Sequence, residues 1–297
     1  MSTLNPQINS GPLSGVKVID LTRALSGPTC TMILADMGAE TIKLEPPPRR
    51  GRGRSTESPT PPHPQFTDRN KKSITLDLRL EKARNIFASL VGWADVIVEN
   101  FRPGFMARVG FDYPAMQKIN PHIILTSISG YGQTGPYAPR AAFDSVGQAM
   151  GGLMSVTGPA DMPPMDAGAA VCDISAGIYG ALGTMLALYH QKSTGVGQHV
   201  DVSLVESIVS LMGFNLHLKN TGNPAKKGAL FSPKRTPGAG MFLTRDGVYF
   251  IIMAQSDQHW PVMVRLMGRE NLATNPEYSV RHRRAHHGDD IAALMNS

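Results

Sequence analysis

The sequence predicts an α/β protein built on an open parallel sheet. Three observations lead there. Short β-branched apolar runs alternate along the chain with segments of helical spacing. Val16–Leu21 (VKVIDL), an apolar helix and Thr41–Glu45 (TIKLE) form a βαβ unit, whose parallel strands require a crossover helix. The 297 residues are 41% hydrophobic and 18% charged, enough for a sizeable core, and that length suggests about two domains.

The elements follow in order. After the first strand, Ser26-Gly27-Pro28 opens the helix TCTMILADM, closed by Gly38. Proline near the first turn and glycine past the last are what helix ends prefer. Glu45 after the second strand invites a dinucleotide-binding reading. TRALSGPTC offers one glycine where G-x-G-x-x-G is needed, so that reading is rejected. Pro46–Pro64 carries seven prolines and four arginines and excludes a regular element. It reads as a solvated loop or a basic flap. Ser73–Leu78 is a strand, Glu81–Trp93 a helix, and Asp95–Glu99 and Ile123–Ile128 are strands. The loops NFRPG and SGYGQTGP follow these last two strands, and open α/β sheets bind ligands beyond strand carboxyl ends. Ala142–Val156 reads as one helix, Gln198–Ser203 as a strand and Leu204–Lys219 as an amphipathic helix. Asn220–Gly240 is rich in Lys, Pro and Gly, and Val248–Met253 and His259–Met267 begin a second module. The expected division is a large domain over 1–219, a linker over 220–240 and a small α/β domain over 241–297.

Composition narrows the function. Lys and Arg outnumber Asp and Glu by 29 to 23, a net +6 that permits an anionic partner. Aromatic residues are 6% and no stacking motif interleaves with the basic ones, which argues against a nucleic-acid module. Cys30 and Cys172 are too few for a disulfide scaffold and point to a reducing compartment. Residues 1–16 show neither a signal peptide nor a transit peptide, and no apolar run reaches bilayer length, so a cytosolic protein is expected. The histidines of RHRRAHHGDD lack companion metal ligands, so they read as surface residues and no metal is expected.

The stretch Gly158–Tyr189 organises the rest. A Pro-, Gly- and Asp-rich loop ends at Asp173, and a long apolar helix follows. Ala176, Gly177, Gly180 and Gly183 share one helical face and admit a close neighbour. Asp173 is either the helix cap or a reacting carboxylate, and the roles are compatible. Asp161 and Asp166 read as turn formers, and Cys172 lacks a paired histidine.

Eight pieces in order resemble family III (CaiB/BaiF-type) CoA-transferases. They are LSGVKVIDLTRALSGP, LADMGAETIKLEPP, DRNKKSITLDL, DVIVENFRPGFMARVGF, NPHIILTSISGYGQTGP, FDSVGQAMGGLMSVTG, CDISAGIYGALG and TGVGQHVDVSL. The resemblance implies a Rossmann-like large domain and a small α/β domain that is C-terminally incomplete here. It places the family's nucleophilic carboxylate at Asp173, attacking an acyl-CoA thioester and passing through an aspartyl-CoA intermediate. Coenzyme A is then a substrate, with no tightly bound cofactor. For its binding the resemblance implies Arg23, Ala24 and Leu25, then Asn70, Lys71 and Lys72, and Asn100, Phe101, Arg102 and Arg108. Tyr131 and Tyr137 would flank the acyl group. Gly238 and Gly240 stand where some members carry a longer glycine run over the intermediate. The family further implies an intertwined homodimer. An α-methylacyl-CoA racemase shares the fold but pairs His with Asp, and no histidine lies between His122 and His190. A catalytically silent paralogue binding CoA or another polyanion is the remaining alternative.

Overall fold

The computed structural model describes residues 11–47, 65–222, 227–228 and 236–296. The basic, Pro-rich segment expected as a loop or flap lies, apart from Pro46 and Pro47, outside the described residues, as does much of the expected linker. The chain divides into two compact units, Met1–Ser155 with Met165–Ala225, and Val156–Pro164 with Lys226–Ser297.

The first unit is a six-stranded sheet in the order β3-β2-β1-β4-β5-β6. The strands are β1 (Lys17–Asp20), β2 (Glu40–Glu45), β3 (Lys71–Thr75), β4 (Val96–Glu99), β5 (Ile124–Ser129) and β6 (His199–Ser203). All five pairings are parallel, as the alternating sequence predicts. Chain order reverses between β1 and β4, so the loops after these strands part there and leave a crevice.

Side chains alternate across each strand, and two helical layers take the two faces. On one face Ile19, Ile97 and Leu125 pack with Phe87 and Val91 of α2 (Glu81–Trp93) and Met116 of α4 (Tyr113–Ile119). The short helix α3 (Phe105–Arg108) precedes α4. The other face is covered by α1 (Ser26–Asp36) and the 24-residue α7 (Val171–Thr194). Here the small-residue face of α7 has its use. A Cβ on Gly177 would lie 2.6 Å from the Ser26 carbonyl oxygen of α1, so the two backbones meet at a distance only glycine allows. Contrary to the sequence expectation, α7 is long and apolar enough by length and composition to cross a membrane. Half of that stretch is buried inside the fold, against α1 and the sheet.

Two expected helices are each two. Residues 142–156 form α5 (Asp144–Met150) and α6 (Leu153–Val156), broken where Gly152 adopts φ +88°. Residues 204–219 form α8 (Leu204–Leu211) and α9 (Gly213–Asn220), parted at Met212.

In the second unit β7 (Ala239–Leu243) pairs antiparallel with β8 (Tyr249–Met253). The sequence reading missed β7 because Gly238 and Gly240 looked like loop. Trp260, Met263 and Val264 of α10 (His259–Leu266) form a small core with Ile291 of α13 (Gly288–Met295), the helices α11 (Asn271–Thr274) and α12 (Arg281–Arg284) lying between. Arg284, from the segment expected at the surface, is wholly buried. Its guanidinium stacks over Trp260 at 4.9 Å and binds Asp257 at 2.7 Å and the Tyr278 carbonyl at 2.8 Å, which explains the inversion.

Candidate active site

Three strand ends and one helix start build a cavity of about 220 Å³. The loop after β1 gives Arg23 and Ala24, the loop after β4 gives Asn100–Pro103, and the end of β5 gives Ser129 and Gly130. Arg140 and Phe143 close one side, and Asp173 lies in the wall.

The loops are tied together before any ligand arrives. Asn100 accepts the Arg23 N–H at 2.9 Å through Oδ1 and donates to the Arg23 carbonyl at 2.7 Å through Nδ2. A side-chain amide thus stands in for a strand partner where the loops part, spanning the crevice beyond the ends of β1 and β4. Ala24 is held at φ +61°, in the left-handed region that costs a non-glycine residue about 1 kcal/mol. The Arg23 guanidinium lies 5.5 Å from the Phe101 ring centroid.

Asp173 is the third residue of α7, inside the first turn, while the N-cap is Ala170. The capping half of the sequence reading therefore fails: the helix is capped three residues earlier, at Ala170, and Asp173 makes no cap bond. Its backbone N–H is instead bound at 2.9 Å by Asp144 Oδ1 from the first turn of α5. Gln148, buried beside it, takes the Ala167 N–H at 2.9 Å and donates to the Ala169 carbonyl at 3.1 Å, fixing the approach to α7. The Asp173 carboxylate itself accepts no hydrogen bond among the described residues. Burial, and then the neighbouring Asp144 charge, push its pKa up to about 6. Half-buried, lightly solvated and anionic at neutral pH, it is arranged as a nucleophile is. Cys172 offers no rival, since burial pushes its thiol up to about 12 and Sγ donates to the Leu204 carbonyl.

A second cavity of about 210 Å³ shares Arg23 and Phe101 with the first. Leu21, Leu44, Leu78 and Phe105 make it apolar, and Arg79 stands in its wall. Among the described residues, Arg23, Arg102, Arg108 and Arg140 form no ion pair. Unpaired guanidinium groups beside an apolar slot suit phosphates and a flat ring.

The remaining candidates fall elsewhere. Leu25 is the N-cap residue of α1 and lines neither cavity. The Asn70–Lys72 segment is held by carboxylates: Asn70 binds Asp36 at 2.8 Å and Lys72 binds Glu40 at 2.7 Å. Lys71, buried, reaches over β2 to Asp20 at 2.8 Å and to Thr31 at 2.7 Å. Its ammonium is therefore engaged inside the fold. Arg108 lies over Phe105 at 5.9 Å. Tyr131 and Tyr137 pack on each other at 5.6 Å and line neither cavity, though Arg140 sits 4.2 Å over the Tyr137 ring. Gly238 and Gly240 belong to the second unit, where a Cβ on Gly238 would meet the Ala254 carbonyl at 2.3 Å. Sequence reasoning missed Asp144 and Arg140. An acid opening a helix shortly after the SGYGQTGP loop was the available signal for Asp144.

Comparison with known proteins identifies the family. The model of CoA-transferase family III matches residues 13–297. Succinyl-CoA–D-citramalate CoA-transferase of Chloroflexus aurantiacus is 36% identical over 96% of this chain and 72% of its own length. Acetyl-CoA:oxalate CoA-transferase of Acetobacter aceti is 38% identical over 99% of this chain and 77% of its own. Human succinyl-CoA:glutarate CoA-transferase is 35% identical, with 97% of this chain and 66% of that protein aligned. A CAIB/BAIF family crystal structure from Brucella suis superposes with a TM-score of 0.80 at 34% identity, covering 97% of this chain and 78% of that one.

Proposed function

The chain belongs to CoA-transferase family III, and from that premise we propose that it moves CoA from an acyl-CoA thioester to a free carboxylic acid, with Asp173 as the nucleophile. The observation that carries this reading is the Asp173 carboxylate, unbonded and half-buried in a cavity lined by Arg23, Arg102 and Arg140.

An Asp173 oxygen attacks the thioester carbonyl, and the C–S bond breaks to leave a mixed anhydride and CoA thiolate. The thiolate attacks the aspartyl carbonyl of the anhydride, releasing the donor acid and leaving aspartyl-CoA. The acceptor carboxylate repeats the exchange, and the thiolate then takes the new acyl group and frees Asp173. Every step conserves charge, so no net proton transfer is needed. The residues supply position and a dry, cationic surrounding. The neighbouring apolar slot receives the nucleotide end of CoA, with Arg23 and Phe101 at the junction.

Three further parts of the proposal have separate support. The wall of guanidinium groups and the small volume favour a short acid or diacid, and the relatives named for succinyl-CoA make it the first donor to try. Ile178, Leu182, Leu186 and Tyr189 form an exposed apolar stripe along α7, which supports a homodimer. Cys30 and Cys172 are buried, unpaired thiols, which supports a reducing, cytosolic setting.

The test is peptide mass spectrometry after incubation with succinyl-CoA and other acyl-CoAs. The expected result is a CoA adduct on the peptide containing Asp173, absent from Asp173→Ala. CoA bound with no adduct from any donor would leave a silent binding protein.

A further inference from the structure

Beneath the CoA loop, on the sheet face away from α7, lies a polar cluster that the proposed reaction does not use. Glu99, Ser127 and His199 stand on adjacent strands β4, β5 and β6. Ser127 Oγ bonds His199 Nε2 at 2.9 Å, and its hydroxyl favours the charged form of Glu99 on the neighbouring strand. Glu99 Oε2 accepts the Phe101 N–H at 2.8 Å. Glu99 is 3% exposed and forms no ion pair among the described residues. A buried carboxyl without a cation is expensive to keep unless its hydrogen bonds are put to use.

Its bonding partner is informative. Phe101 follows Asn100, which clamps the Arg23 loop, and precedes Arg102, which lines both the Asp173 cavity and the cavity over Glu99. We propose that Glu99 is a positioning residue for the CoA site: through its bond to the Phe101 N–H its carboxylate fixes the Asn100–Arg102 segment, and gain of a proton loosens it. This rests on the CoA-transfer reading and deepens it.

The groups facing Glu99 set the sign. From β6 come His199 and Asp201, from the start of α4 its N-cap Asp112 and Tyr113, and from the loop Arg102. Burial pushes Glu99 up to about 7, opposed by the Ser127 and Phe101 hydrogen bonds, with Asp201 adding to the rise. Burial holds His199 below its ordinary value, with Asp201 opposing, which favours the neutral ring. A neutral ring can donate Nε2–H to Ser127, which leaves the hydroxyl proton free to favour the Glu99 anion. Stacking on Tyr113 at 5.5 Å holds the ring in that plane. Above neutrality the anion grips the Phe101 N–H through a charge-assisted bond, which is the stronger kind. Below it, one carboxyl oxygen becomes a donor and the grip weakens.

The experiment is calorimetric titration of CoA into the full chain between pH 6 and 8.5, for wild type, Glu99→Gln and Ser127→Ala. The amide mimics the protonated acid, so the ratio of Kd for Glu99→Gln to Kd for wild type should be near one at pH 6. It should rise to roughly fivefold above pH 8 (about 1 kcal/mol at 1.4 kcal/mol per decade). Titration of the CoA phosphates cancels in that ratio. Ser127→Ala keeps the carboxylate but removes a hydroxyl that favours the anion, so its affinity transition should move to higher pH. A ratio that does not change with pH overturns the proposal. So does an unmoved transition in Ser127→Ala, and that arm decides alone if Glu99→Gln does not fold. If wild type binds no CoA at any pH, the CoA-transfer reading fails first and takes this inference with it. Parallel curves from all three proteins would sink only the inference.

Discussion

A half-buried carboxylate carries a stability cost that one substitution exposes. Asp173 has a folded-state pKa of about 6 against an ordinary 3.8. Because the folded value is raised, the fold is favoured while the group is neutral, below pH 4, and that advantage is lost as pH rises through 6. The full difference would be about 3 kcal/mol at 1.36 kcal/mol per pH unit. The carboxylate is partly exposed, and screening by solvent reduces this to about 1–2 kcal/mol. Asp173→Asn cannot ionise and escapes the cost. Urea unfolding of wild type and Asp173→Asn at pH 4, 5.5 and 7.5 should therefore show coincident curves at pH 4. A gap in favour of the variant should open with pH and level off by pH 7.5, near 1–2 kcal/mol, or ~2–8 °C in thermal midpoint for a chain of this size. The variant is expected to lose CoA transfer at every pH. A gap of the opposite sign, or one that does not vary with pH, would refute the account of a strained anion in the α7 first turn.

Other outcomes follow from neighbouring contacts. In Asp144→Asn the pH at which transfer is half-maximal should fall by less than about one unit in a kcat profile, because burial outweighs Asp144 in raising Asp173. Gly177→Val, which drives a side chain into the Ser26 carbonyl, should cost ~1–3 kcal/mol by urea denaturation. Lys71→Met leaves Asp20 buried without its cation and should cost ~3–5 kcal/mol by the same measure. Cys30 and Cys172, both pushed up to about 12, should resist a thiol reagent at pH 8 until the chain is unfolded.

Much of the sheet was legible because its strands are buried on both faces. VKVIDL, DVIVE and IILTSI announce themselves by β-branched content alone, and each lies within a residue or two of its observed strand. Helix interruptions were less so. AFDSVGQAMGGLMSV keeps its apolar spacing across Gly151-Gly152, and only the positive φ at Gly152 breaks it. The site divides in the same way. Asp173 stood out as an acid opening an apolar helix, a local signal. Its partner Asp144 is 29 residues away, and the bond between them exists only after α5 and α7 pack. Lys71 misled for a like reason: a cation in a polar run looks available, and nothing local shows that Asp20, 51 residues earlier, has claimed it. Local rules report propensity, and pairing across the fold decides which charges remain available.

Ala24 has a kinetic consequence. A glycine at φ +61° would spare the backbone its strain but would let the loop wander. With alanine there, and both backbone groups of Arg23 held by Asn100, the loop's ordering entropy is lost during folding and not during encounter. On the proposed function, CoA then meets a cavity already in shape. Stopped-flow traces should show one bimolecular phase that steepens linearly with CoA, and Ala24→Gly should bring in a slower, concentration-independent step.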